Sequence, residues 1–242
     1  MTLSPIRYHR PGRRLRRPRW WLFLIPALWM LFATSALAGE LRGTIRIVSD
    51  AATMQSSTLD PYAGTLNSAG AAGNARDERA RATTPRDVVV YLEGPNARII
   101  PRPNAGRPML KQINQSFEPH VLGVPVGTTV DFPNGDLVYH NVFSYSKTKK
   151  FDLGYYGKGK SKTVTFDKPG VVQVFCDIHS TMSAYVLVVD SPFVTQPDDA
   201  GGYSFPDLPP GNYTLKVWHP DLGDRSMAVT VGDGVTDLDV NL

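Results

Sequence analysis

The chain has 242 residues, 26 of them basic and 22 acidic, for a formal charge of +4 at neutral pH. Taken whole, that balance suggests a nucleic-acid or anionic-membrane partner, but its distribution excludes both. Seven of the 26 basic residues (Arg7, Arg10, Arg13, Arg14, Arg16, Arg17 and Arg19) lie in residues 1–38, which contain no acid; the rest carries 19 basic against 22 acidic, a net of −3.

The arginines are followed by the apolar run Trp20 to Phe32 and then by Ala33-Thr34-Ser35-Ala36-Leu37-Ala38. A positive start, an apolar middle and an Ala-x-Ala end make an export signal, with cleavage expected after Ala38 and a periplasmic destination. Trp20 to Ala38 also approaches the length of a membrane span, so an uncleaved anchor is the alternative; after cleavage no span is expected. Arg16-Arg17-Pro18-Arg19 does not continue as a twin-arginine signal does, which favours the general export route.

From residue 39 onward, short runs of Val, Ile, Thr, Tyr and Phe are separated by Gly, Pro, Asn and Asp, with no sustained helical periodicity. This pattern predicts an all-β fold. Residues 41–48 and 87–94 are expected strands. Residues 49–86, dominated by small and polar side chains, lack the apolar material to offset the entropy of ordering them and read as a long mobile loop. Thereafter come the runs 117–124 and 127–134. In the second, Thr128, Val130 and Phe132 share one face while Thr129 and Asp131 share the other, as a half-buried strand requires. Strands are also expected at 162–166 and from Val171 to Cys176, across a turn at Asp167-Lys168-Pro169-Gly170, and at Ser183 to Val189. The span 110–190 is enough for one small β-sandwich. Residues 191–242 supply further strands, with Gly202-Tyr203-Ser204-Phe205, Leu208 to Val217 and Val229 to Leu242. Alone, about fifty residues make a marginal core, so this segment needs strands from elsewhere.

Chemistry concentrates at one point. The strand that begins at Val171 ends in the only cysteine of the chain, in Cys176-Asp177-Ile178-His179-Ser180-Thr181-Met182. A lone strand cysteine is usually a small buried hydrophobe, and methionine usually fills core. At this chain's own frequencies of 5 His and 6 Met, however, both offsets from one cysteine arise by chance only roughly once in 2,000. A second imidazole stands upstream at His140. Two histidines, a cysteine and a distant axial methionine are a blue-copper donor set. Zinc is the competing metal, but thioether is not among the ligands of structural zinc sites. An exported lone thiol has no intramolecular disulfide partner, and metal ligation gives it a use.

Residues 117–189, with Gly127-Thr128-Thr129-Val130, Pro133-Asn134-Gly135-Asp136, His140-Asn141-Val142 and Cys176 to Met182, resemble the cupredoxin family (plastocyanin, pseudoazurin, amicyanin). The short gaps in the last motif are most similar to amicyanin. The resemblance implies a Greek-key β-sandwich with one type 1 copper per chain, held by His140, Cys176, His179 and Met182. It implies a buried His140, a His179 that exposes its ring edge, and an Asn141 that ties the ligand loops together. Residues 202–205 and Leu208-Pro209-Pro210-Gly211-Asn212-Tyr213 resemble a second type of β-sandwich, the Ig/transthyretin-like, carboxypeptidase-regulatory kind, which normally begins with strands like 41–48 and 87–94. The expectation is therefore a cupredoxin inserted into a second sandwich completed by both ends of the exported chain. Similar two-part proteins carry the loose label of methylamine-utilisation proteins.

The function these resemblances imply is one-electron carriage between periplasmic redox proteins of the cytochrome c or copper/quinoprotein oxidoreductase class, with no enzymatic activity. The alternatives are copper sequestration or delivery and a structural module with a vestigial site. His120 and His219 are weighed as a strand residue and a turn residue outside the site, and Phe175 and Ile178 as packing. The six lysines at 147, 149, 150, 158, 160 and 162 suit either an acidic partner or a solvated hairpin.

Overall fold

The computed structural model describes residues 38–48, 84–94 and 106–242. The export signal, apart from Ala38, and the loop expected over 49–86, apart from its last three residues, lie outside the described residues. Regular structure is almost wholly extended. Its strands are β1 (Gly39–Arg46), β2 (Val89–Glu93), β3 (Lys111–Ile113), β4 (Ser116–Glu118), β5 (Val121–Pro125), β6 (Thr128–Pro133), β7 (Phe143–Ser144), β8 (Phe151–Asp152) and β9 (Ser161–Phe166). They continue as β10 (Gly170–Phe175), β11 (Ser183–Val189), β12 (Val194–Thr195), β13 (Gly202–Leu208), β14 (Gly211–His219), β15 (Gly223–Val231), β16 (Val235–Asp237) and β17 (Val240–Asn241). A 3-10 turn, Pro85–Asp87, leads into β2. Among the described residues no helix is long and apolar enough to cross a membrane.

Hydrogen bonding sorts the strands into layers. β1 lies between β13, antiparallel, and β16, parallel, with β17 paired to its far end. β2 sits between β12 and β14, with β15 beyond. A five-stranded sheet runs in the order β5-β11-β10-β7-β8, and β6 pairs with β9 over six residue pairs. The N-terminal strands thus take their hydrogen-bonded partners from residues 194–241, although 117 residues (94–210) separate β2 from β14 in sequence.

Three apolar seams hold the layers together, and the strands between them show why. Along β11, Ala184, Val186 and Val188 enter the core shared with β6 and β9, while Tyr185, Leu187 and Val189 face the opposite way, toward β2 and Trp218. Successive side chains of a strand point to opposite faces, so a strand buried on both sides must be apolar throughout, and Tyr185 to Val189 is. β2 behaves alike: Val90 and Leu92 join the core with β1, β13 and β14, and Val89 and Tyr91 join the middle seam. At Gly123 that seam is closest, since a Cβ there would lie 2.5 Å from Val89 Cγ1. The Gln196 side chain pins the same place, donating to the Val121 carbonyl and accepting from the Gly123 amide.

Several boundaries differ from expectation. The run 117–124 is split by Pro119 and His120 into β4 and β5. β10 stops at Phe175, leaving Cys176 just past its end. β15 starts at Gly223, six residues before the expected Val229. Its polar first half is mostly exposed and is carried by register with β14 from His219↔Gly223 to Gly211↔Val231.

Candidate metal centre

The site lies where β10 ends and the segment after β6 begins. His140 belongs to no long strand; an isolated bridge fixes it, its amide donating to the Tyr156 carbonyl (3.2 Å) and its carbonyl accepting from the Tyr156 amide (3.0 Å). Residues 176–182 form a loop closed on itself. The Cys176 amide donates to the Met182 carbonyl (3.2 Å), and the Met182 amide to the His179 carbonyl (2.9 Å). Such a closed loop holds Cys176, His179 and Met182 in a fixed relation before any ligand arrives.

The side chains of His140, Cys176 and His179 converge, with one donor atom of each within 4.8 Å of the others. His140 Nδ1 lies 3.1 Å from His179 Nδ1, and Cys176 Sγ lies 3.8 Å from the same His179 nitrogen. A trigonal divalent ion about 2.0 Å from two nitrogens and about 2.3 Å from one sulfur separates its donors by about 3.5–3.7 Å. The two separations at His179, 3.1 and 3.8 Å, lie close to those values, and the third is within 4.8 Å. His140 and Cys176 are buried, and His179 is half-buried. Met182 is buried in the same apolar core as Cys176.

The second nitrogen of His140 explains its orientation. Nε2 lies 2.8 Å from Asp136 Oδ2, and an ionised carboxylate only accepts, so Nε2 carries the proton and Nδ1 presents a lone pair. That lone pair faces His179 Nδ1. In the metal-free chain a proton on His179 Nδ1 bridges the two nitrogens as a hydrogen bond, and a cation can take its place; the donor set, two imidazoles and a thiol, fits a borderline-soft metal such as copper. Burial pushes Asp136 upward, but the Gln115 amide, the His140 ring and the Asn114 amide together hold its carboxyl below the usual range.

Asn141, expected to tie the ligand loops together, instead donates from Nδ2 to Asp152 Oδ1 at 2.7 Å and so ties its own segment to β8. The Gly154 amide and the Asn141 side chain hold Asp152 below the usual carboxylate range. His120 stands apart from the cluster, with Nδ1 3.1 Å from the Ser183 carbonyl and its ring edge-on to Tyr185. His219 closes a turn, its Nδ1 accepting from the amides of Asp221 and Leu222. Phe175 packs on Phe143, centroids 5.9 Å apart. Ile178 is 48% exposed, and Leu137, Val138, Tyr139 and Tyr155 are also exposed on the segments that carry the site. Asp136 is the residue that sequence reasoning missed, its only signal being the turn-forming Pro133-Asn134-Gly135-Asp136 just before His140.

No family model matches the chain, and no curated protein matches it. Among solved structures it is similar to a Cu-containing nitrite reductase (NirK) from Thermus scotoductus SA-01, 28% identical over 40% of this chain and 25% of that one, with a TM-score of 0.34. This chain thus spans a quarter of the nitrite reductase. A novel purple cupredoxin from Nitrosopumilus maritimus is 30% identical over 31% of this chain and 84% of its own, with a TM-score of 0.29. A reduced amicyanin mutant is 21% identical over 41% of this chain and 98% of its own, with a TM-score of 0.33. The likeness is to cupredoxins and covers less than half of this chain in each case.

Proposed function

We propose that this chain is an exported type 1 copper protein that carries single electrons between periplasmic redox partners. The observation that carries the reading is the convergence of His140, Cys176 and His179 on one point, all three donors within 4.8 Å of one another. In this reading Met182, buried beside Cys176 in one core, is the axial donor. Bound there, one copper per chain supplies a one-electron Cu(II)/Cu(I) couple.

The protein's own part is to hold the donors still. The closed loop 176–182 and the Tyr156 bridge restrain all four ligands through backbone hydrogen bonds, so little has to move when the charge of the centre changes. With two imidazoles, a thiolate and a thioether engaged, no strong position stays open for a substrate, which argues against an enzyme. Residues 110–190 are then the copper-binding sandwich. The pairing of β1 and β2 with β13 and β14 supports reading the remaining strands as a second sandwich of transthyretin-like type, a scaffold or docking module.

Leu137, Tyr139, Tyr155 and Ile178, exposed apolar and aromatic side chains on the segments that carry half-buried His179, are candidate contacts for a partner such as a cytochrome c or a copper or quinoprotein oxidoreductase. The lysines are a weaker candidate. Lys149 is paired with Asp167, while Lys162 bonds the Leu153 carbonyl and lies over the Tyr156 ring, leaving four of six for a partner. Voltammetry of the copper-loaded protein tests the reading. Electron carriage requires a reversible couple and exchange with a reduced cytochrome c; a protein that holds only Cu(I) is a copper-delivery module instead.

A further inference from the structure

The hairpin of β3 and β4 lies outside both sheets of its core, and its two-residue turn is built against the grain. Lys111↔Glu118, Gln112↔Phe117 and Ile113↔Ser116 set the register, so Asn114 and Gln115 alone make the turn, both at φ 54°. Such turns need positive φ at both central positions and favour Asn-Gly. Asn tolerates this conformation, but a non-glycine residue such as Gln is uncommon there and strained. A strained backbone persists where the surroundings hold it, and here they do. The Asn114 amide donates to Asp136 Oδ1 (2.7 Å) and the Gln115 amide to Asp136 Oδ2 (2.9 Å). Oδ2 of the same carboxylate is the atom that holds His140 Nε2.

The rest of the hairpin is fastened to the same segment. The Gly135 amide donates to the Gln112 carbonyl (2.9 Å). The buried Gln112 side chain donates to the Tyr156 hydroxyl (2.7 Å), and Tyr156 is the residue whose backbone brackets His140. Asn134 closes the arrangement: its Oδ1 accepts from the Asp136 amide (2.8 Å), and its Nδ2 donates to the carbonyls of Val138 (3.0 Å) and Tyr156 (2.8 Å).

We infer that the Asn114–Gln115 turn is a positioning element of the metal centre, which fixes the Asp136 carboxylate so that it holds the His140 ring in one orientation and one tautomer, with Nδ1 bare toward the metal. The inference rests on the copper reading for its purpose and not for its geometry. Carboxylates behind ligating histidines fix the tautomer and raise donor strength, and their loss costs about 10–100-fold in metal affinity. Here the carboxylate is itself held by the amides of Asn114 and Gln115 in a strained turn. Because a fixed anion behind the ring favours the more highly charged ion, the device favours Cu(II) over Cu(I).

The test begins on the metal-free full chain, so that it stands even if copper never binds. Nitrogen-15 shifts of the His140 ring at neutral pH should show a single Nε2–H tautomer, and the Asn114 and Gln115 amide protons should exchange slowly. A mixture of tautomers, or Nδ1–H, overturns the inference. D136N, and a variant with one glycine inserted between Asn114 and Gln115, should both lose the single tautomer while the rest of the amide spectrum stays put. In the copper-loaded protein both variants should lose about 10–100-fold in Cu(II) affinity and distinctly less in Cu(I) affinity. An equal loss for both ions makes the turn a merely structural brace and overturns the inference, as does no loss at all. If D136N does not fold, the wild-type ring nitrogens and the insertion variant decide.

Discussion

Of the two larger cores in this chain, one is almost purely apolar and the other buries polar chemistry. Between the β1 sheet and the β2 sheet the apolar set is Leu, Val, Ile, Phe and Tyr, and the buried polar side chains at its edge, Ser191 and His219, bond nearby backbone groups. Between the β11 sheet and the β6–β9 pair the strands are equally apolar, yet one end carries Cys176, Met182, His140, Asn134, Asn141 and Gln112, all buried. Burying polar groups is costly unless each finds a partner, and the second core offsets most of that cost with a network running from Gln112 through Tyr156 and Asn134 to Asp136 and His140, leaving Gln112 Oε1 and Asn141 Oδ1 without a partner among the described residues. The first core needs no such network. The difference teaches that the first core serves stability alone, while the second gives up part of its apolar volume to hold three donors in register.

The seam between the cores offers the largest expected effect. Leu187 is buried there, and Leu187→Ala should cost about 2–5 kcal/mol in urea unfolding while leaving the donors of the other face in place. Copper uptake unaltered in the folded L187A protein would show that the seam supports the site only through overall stability. A smaller effect separates packing from ligation. Met182→Leu conserves volume and should cost less than about 1.5 kcal/mol in the metal-free protein, yet alter the spectrum and potential of the copper form. A copper form unaltered by M182L would make Met182 core filling.

The smallest effect is a pH dependence. Asp152 has its folded pKa lowered by the Gly154 amide and the Asn141 side chain. A depressed carboxylate contributes stability above the unfolded carboxylate range and loses it as pH falls through the folded pKa. D152N should therefore lower the urea midpoint at neutral pH, and the gap to the wild type should narrow in acid. A gap independent of pH would remove the ionised carboxylate from the account.

Much of this was legible in the sequence. Alternation marked β6, and Cys176-x-x-His179 with His140 marked the three side chains that the structure brings together. The unbroken apolar runs Val88 to Leu92 and Tyr185 to Val189 also held a signal, since only a strand covered on both faces can be apolar at every position. What escaped is local geometry created by tertiary contact. β15 begins in a polar stretch because register with β14, and not burial, makes it a strand. The β3–β4 hairpin turns on Asn-Gln where Asn-Gly is the readable signal. Asp136 has no periodicity to betray it: four residues before His140, in a loop, it meets the ring only because the turn at 114–115 and Asn134 hold it there.

The central claim is that the cluster at the end of β10 is a copper site of the cysteine-thiolate kind. Copper titration of the exported chain, followed by its visible absorption, tests it most directly. The account predicts one copper per chain and an intense visible band that disappears in C176A. Sub-stoichiometric binding, or a colour that C176A leaves unchanged, would contradict it.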